Sequence, residues 1–197
     1  PKGTWIGINQ QSFYSHNPNF WIDREGYIFE NQKKLFHSSA LKIPGEHNLQ
    51  NLLLVIAAAR EVGIDHTSIA KSINSFKSIP HRLEYLGKIK NLSFYNDSKA
   101  TNFDSSLTGL KSIPNPIVLL AGGIQKKGDY FSWMKQIKQS TNGIVLFGLS
   151  ANNLKEALLM SSYTGEIIVK QNLEEATIAS IDIARKTNSK TILLSPA

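Results

Sequence analysis

Six consecutive residues, Asp97-Ser98-Lys99-Ala100-Thr101-Asn102, bring an acid, a cation, two hydroxyls and an amide together behind the apolar run Leu92-Ser93-Phe94-Tyr95-Asn96. If that run is a strand, the hexapeptide is the loop at its carboxyl end, where open α/β sheets gather their ligand contacts. Asp97 can accept hydrogen bonds from a sugar diol, and Lys99 can neutralise a phosphate or carboxylate. Thr101 and Asn102 suit either a helix cap or contact with a small substrate. The same letters also describe a plain polar strand-to-helix turn. A second loop, Ala121-Gly122-Gly123-Ile124-Gln125-Lys126-Lys127-Gly128-Asp129, pairs permissive backbone with cations, which suits close approach to an anion or a solvated turn. Asn48 and Asn51 lie one helical turn apart and face the same way. Asn48 is equally placed to cap its helix. Arg82 carries the forked, permanently charged donor that matches phosphate oxygens.

The elements that position these residues follow from hydrophobic period and punctuation. Residues 1–43 alternate short apolar runs with turns: Trp5-Ile6-Gly7-Ile8, Phe20-Trp21-Ile22-Asp23, Tyr27-Ile28-Phe29-Glu30, then Leu35 to Ile43. That pattern predicts a β meander with hairpins, broken at Asn17-Pro18-Asn19 and Arg24-Glu25-Gly26, with residues 10–19 in a loop. Leu49, Leu52, Leu53 and Ile56 then recur at helical spacing from an Asn48 N-cap to Gly63. A second helix is expected over residues 65–76, and Ser78-Ile79-Pro80 breaks it. A domain boundary is expected at residues 81/82.

Beyond it, a hairpin around Lys90-Asn91 joins residues 83–89 to 92–96. Continuous apolar strands at 117–121, 144–147, 167–170 and 191–194 alternate with helical segments at 104–112, 130–139, 151–160 and 173–186. Apolar strands alternating with helices imply a buried parallel sheet with helices on both faces, so residues 82–197 read as a Rossmann-like α/β domain. Asp97, Lys99, Thr101 and Lys126 are then expected on one rim.

Composition narrows the classes of function. The chain has 197 residues, 41% hydrophobic and 19% charged, with no cysteine, so disulfides and thiolate metal sites are excluded. Its net charge is +7; residues 1–80 carry 8 basic and 6 acidic side chains, residues 81–197 carry 14 and 9. This excess is scattered singly, without the concentrated stripe of a nucleic-acid binder, and fits anionic small molecules. The longest apolar run, residues 52–59, falls short of the ~20 residues that span a bilayer, and a cytoplasmic location is expected. The chain opens on Pro1 and stops at Ala197 where a strand finishes, so it is read as part of a longer protein.

Asn-Asp-Ser-Lys-Ala-Thr-Asn at residues 96–102 resembles a signature of the Mur ligase family, in its D-glutamate-adding branch. Gly45-Glu46-His47-Asn48-Leu49-Gln50-Asn51 is similar to the family's Gly-x-His-Asn-x-x-Asn, Pro80-His81-Arg82-Leu83-Glu84 to its inter-domain hinge, and Gly122-Gly123 with Lys126 to its Gly-Gly-x-x-Lys loop. Ser195-Pro196-Ala197 matches the opening of a C-terminal motif. The resemblance implies that residues 1–81 end a central ATP-binding domain and that residues 82–197 form most of an amino-acid-binding domain. It places Asn48, Asn51, Arg82 and Asp97 at the nucleotide, Lys99 at the catalytic centre, and Thr101 and Lys126, with Lys127 as the alternative lysine, at the substrate. His81 is expected to pack the hinge.

The implied chemistry is ATP-dependent joining of D-glutamate to UDP-N-acetylmuramoyl-L-alanine through an acyl phosphate, in peptidoglycan synthesis, without nucleic acid or membrane insertion. ATP and Mg2+ are the implied cofactors. The phosphate loop and metal ligands are expected upstream, since this sequence has neither, and the chain alone is expected not to turn over. The alternatives are a non-catalytic nucleotide-binding module and a folylpolyglutamate synthetase-like ligase.

Overall fold

The computed structural model describes residues 4–8, 18–124 and 130–197. The chain divides into two compact units, Pro1–Ser78 and Ile79–Ala197. In the first, β1 (Ile6–Ile8), β2 (Phe20–Ile22), β3 (Tyr27–Glu30) and β4 (Lys33–His37) form one sheet in that order. β2, β3 and β4 pair antiparallel, as a meander should, but β1 pairs with β2 in parallel. A tight hairpin reverses the chain, whereas the eleven residues between Ile8 and Phe20 are enough to bring it back before it re-enters the sheet in the same direction. The fourth strand also stops earlier than its apolar run, giving way at Ser38–Ala40 to a 3-10 turn capped by His37.

Phe20, Ile22 and Ile28 point from this sheet onto α1 (Glu46–Glu61) and α2 (His66–Ser75), meeting Leu52, Leu53, Ile56, Ile69 and Ile73. Gly45, at φ +108, is the N-cap of α1, so Asn48 lies inside the first turn rather than at the cap. Its side-chain amide donates back to the Pro44 carbonyl at 2.6 Å, holding the entry to the helix. The other end closes as a Schellman motif: Gly63 N–H donates to Arg60 O and Ile64 N–H to Ala59 O, with Gly63 at φ +85. Asp65 caps α2 by accepting from the Thr67 and Ser68 amides.

The second unit is a six-stranded sheet. β5 (Glu84–Ile89) forms an antiparallel edge on β6 (Leu92–Asn96), turning through Lys90 and Asn91, both at positive φ. The remaining strands, β7 (Ile117–Gly122), β8 (Thr141–Phe147), β9 (Glu166–Lys170) and β10 (Thr191–Leu194), complete the order β5-β6-β10-β7-β8-β9, and β6 through β9 run parallel. Side-chain alternation sorts the helices onto two faces. Ile117, Leu119, Ala121, Ile144, Leu146 and Leu193 meet α3 (Phe103–Ser112), α4 (Phe131–Ser140) and α5 (Ala151–Met160). Val118, Leu120, Val145 and Ile192 meet α6 (Leu173–Lys186) on the other face, through its small residues Ala176, Ala179 and Ala184 and through Ile183. Each fully buried aliphatic side chain contributes about 1.5–3 kcal/mol of burial, which makes this central sheet the rigid base of the loops above it. Among the described residues, no helix is long and apolar enough to cross a membrane.

Candidate functional site

The loops after the carboxyl ends of β6, β7, β8 and β10 are tied to one another by backbone hydrogen bonds. Asp97 N–H donates to Leu194 O at 2.8 Å, Ser195 N–H to Leu120 O at 3.0 Å, and Ala197 N–H to Ala100 O at 3.0 Å. Gly122 N–H reaches Pro196 O at 3.0 Å, Gly123 N–H reaches Phe147 O at 2.9 Å, and Ser150 N–H reaches Gly123 O at 3.0 Å. The parallel register alone would put these loops on one edge; the bonds fix their spacing. Gly122 sits at φ +134 with its α-carbon against the Phe147 carbonyl, where a side chain has no room.

Asp97, expected on the rim as a ligand group, is 8% exposed. Its Oδ1 accepts the Leu83 N–H at 3.0 Å and its Oδ2 accepts the Ser195 hydroxyl at 3.0 Å. Behind Ser195, the Ser106 hydroxyl lies 3.0 Å from Ser195 Oγ and accepts the Trp133 indole N–H at 3.0 Å. Ser106, Ser195 and Trp133 are all at most 0% exposed. A carboxylate oxygen keeps a second lone pair, so these inward bonds remain compatible with a sugar hydroxyl at the same group.

Arg82 and Lys99, by contrast, are exposed and have no ion-pair partner among the described residues; Thr101 is exposed beside them in sequence. Their backbones are joined: Lys99 N–H donates to His81 O at 3.0 Å, and His81 N–H is held by Glu84 Oε2 at 2.9 Å. The His81 ring, exposed, lies 2.9 Å from the Asn96 side-chain amide nitrogen. His81 and Leu83, flanking Arg82, both have positive φ, +67 and +45. Asn102 serves as the N-cap of α3, accepting from Ser105 N–H at 2.8 Å. Burial, with the Tyr85 ring beside it, pushes the Tyr95 phenol up, so it stays protonated at neutral pH and acts as packing.

Asn48 and Asn51 belong to the first unit, where Asn51 is exposed on α1. Lys126 and Lys127 lie outside the described residues. The sequence did not single out Ser106 or Trp133. The one signal for Ser106 was its place in the Phe103–Ser106–Leu110 spacing of α3, which puts a hydroxyl on a buried face that wants a partner.

No protein-family model matches the chain. A curated UDP-N-acetylmuramoylalanine–D-glutamate ligase of Prochlorococcus marinus (strain NATL2A) is 79% identical over all 197 residues, which cover 42% of that protein. Over the span it covers, the chain is homologous to curated UDP-N-acetylmuramoylalanine–D-glutamate ligases. It spans less than half the length of the curated relatives it matches. Among solved structures, the UDP-N-acetylmuramate-alanine ligase of Thermotoga maritima aligns with 89% of this chain and 41% of its own, at TM-score 0.65 and 18% identity. The Mycobacterium tuberculosis folylpolyglutamate synthase, solved with ADP and AMPPCP, aligns with 89% of this chain and 44% of its own, at TM-score 0.68 and 14% identity. At these identities the structural likenesses establish the fold: a Mur-ligase-like α/β arrangement.

Proposed function

We propose that this chain is part of a cytoplasmic, ATP-dependent ligase that joins D-glutamate to UDP-N-acetylmuramoyl-L-alanine in peptidoglycan synthesis. The supporting observation is the 79% identity across every residue with a relative that bears that name. In this reading ATP converts the acceptor carboxylate to an acyl phosphate. The amine of D-glutamate then attacks the acyl carbon, and phosphate leaves.

The residues of the second unit act as positioners. Arg82 and Lys99, exposed and without ion-pair partners among the described residues, fit phosphate oxygens and the charge that develops during transfer. In this reading Asp97 contacts the nucleotide sugar, and Thr101 and Lys126 take the amino-acid substrate. Asn48 and Asn51, in the first unit, are nucleotide-binding residues in this reading. No group of three or more His, Asp or Glu that fits a metal ion occurs among the described residues. The family resemblance implies magnesium as a cofactor, with its ligands upstream of this chain.

The test is an assay on the polypeptide extended to the length of its relatives. ADP release that requires both D-glutamate and UDP-N-acetylmuramoyl-L-alanine is the expected result. Release with L-glutamate on a folate acceptor would replace this reading with a folylpolyglutamate synthetase-like one. Nucleotide binding without turnover in the extended protein would make it a non-catalytic module. The 197-residue chain alone is expected to show no D-glutamate-dependent ADP release.

A further inference from the structure

The buried groups behind Asp97 form a connected series that runs from a donor to an acceptor. The Trp133 indole N–H is a donor only, and the Asp97 carboxylate at the other end accepts. Each serine hydroxyl between them has one proton. Ser195 Oγ lies 3.0 Å from both Asp97 Oδ2 and Ser106 Oγ and can donate to either, while the Ser106 hydroxyl donates to the Ser195 carbonyl at 3.3 Å. Trp133, Ser106, Ser195 and Asp97 thus form one connected polar network in a dry interior, where such bonds strengthen one another. The far side of the same carboxylate holds the Leu83 amide at 3.0 Å. Leu83 is a non-glycine residue at φ +45, a conformation that persists only when its surroundings over-determine it.

We propose that Ser195 and Ser106 are positioning residues: they aim the Asp97 carboxylate so that it clamps Leu83 and thereby sets where Arg82 and Lys99 emerge. Three stretches far apart in sequence converge on one group: residues 81–83, the loop that starts at Asp97, and the segment after β10. Lys99 is drawn into the same clamp by its 3.0 Å bond to the His81 carbonyl. The close approach of α3 enforces the geometry, because a β-carbon on Gly109 would stand 2.7 Å from Asp97 Oδ2. The serines touch no ligand; their effect on one passes through Asp97 and the backbone it holds. The nucleotide part of this inference rests on the proposed function, whereas the clamp itself does not.

The test uses the 197-residue chain and two readouts, residue-resolved amide hydrogen exchange and ADP affinity by calorimetry. Ser195→Ala should raise exchange at Leu83 and Lys99 by at least about tenfold relative to Val145 in β8. It should also weaken ADP about three- to tenfold. Ser106→Ala leaves the Ser195–Asp97 contact in place and should raise Leu83 exchange about two- to fivefold over Val145. It carries the same test if Ser195→Ala does not fold. Arg82→Ala should weaken ADP while leaving Leu83 protected, which separates loss of a ligand group from loss of its support. Unchanged Leu83 protection in the serine variants, or a rise shared equally by Val145, overturns the clamp. Failure of the unmodified chain to bind ADP counts against the nucleotide role in the proposed function, and the exchange result still decides the clamp.

Discussion

Two acids and two cations of the second unit show opposite fates within about twenty residues of sequence. Asp97 turns inward and has each carboxylate oxygen bonded, and Glu84 holds the His81 amide. Arg82 and Lys99 face outward without ion-pair partners among the described residues. Asp97, Arg82 and Lys99, which all read as ligand groups from the sequence, are thus divided by burial into a scaffold and a presenting surface. A lysine can extend past the protein surface at little cost, whereas a carboxylate drawn inside must be bonded.

The contrast predicts unequal consequences for removing neighbours in sequence. Asp97→Ala strands the Leu83 amide and the Ser195 hydroxyl, and should cost the second unit about 2–4 kcal/mol, read by denaturation followed through amide signals of residues 79–197. Lys99→Ala should change the same transition by less than about 0.5 kcal/mol. Equal losses would erase the distinction. Gly122→Ala places a β-carbon against the Phe147 carbonyl at a backbone φ of +134, and should cost about 2–3 kcal/mol by parting the laced loops. On the presenting side, Arg82→Ala should leave stability unchanged and weaken ADP by about 1.5–3 kcal/mol, roughly ten- to a hundredfold, in calorimetry.

Gly109→Ala sharpens the comparison from within α3. Alanine favours a helix over glycine by about 1 kcal/mol, but the 2.7 Å approach to Asp97 Oδ2 opposes it by about 1–3 kcal/mol. A small net loss is expected, with Leu83 exchange raised; a net gain would mean that Asp97 can move aside freely. The smallest effect belongs to an exposed carboxylate, Asp65, whose bonds from the Ser68 hydroxyl and amide lower its pKa from 3.8 to about 2. Because the folded value is the lower one, its support of α2 is present above about pH 4 and is lost as pH falls toward 2. Asp65→Asn should flatten that acid limb, measured as unfolding midpoint against pH.

The fold was largely legible because period and punctuation agree along the second unit. α5, α6, β6 and β10 occupy the residues that hydrophobic spacing marked out, and the turn expected at Lys90-Asn91 forms with both residues at positive φ. The parallel pairing of β1 was not legible: three-residue strands carry no sign of direction, and direction depends on where a long connection returns. Asn48 was misplaced by three residues because Gly45 can also begin a helix and reaches φ +108 at little cost. At the site, spacing marked the loop that carries Asp97, Lys99 and Thr101 but not which of them faces inward. That choice is made by Ser195 and Ser106, about ninety residues apart in sequence, whose meeting is a product of the sheet order.

A titration of ADP into the isotopically labelled 197-residue chain reads both sides of the contrast in one sample. The Arg82 guanidinium and Lys99 ammonium signals should shift and saturate together, while the Leu83 amide stays slowly exchanging throughout. Saturating shifts that bypass Arg82 and Lys99, or a Leu83 amide that exchanges freely in the absence of ligand, would contradict the division of this loop into a buried anchor and a presented charge.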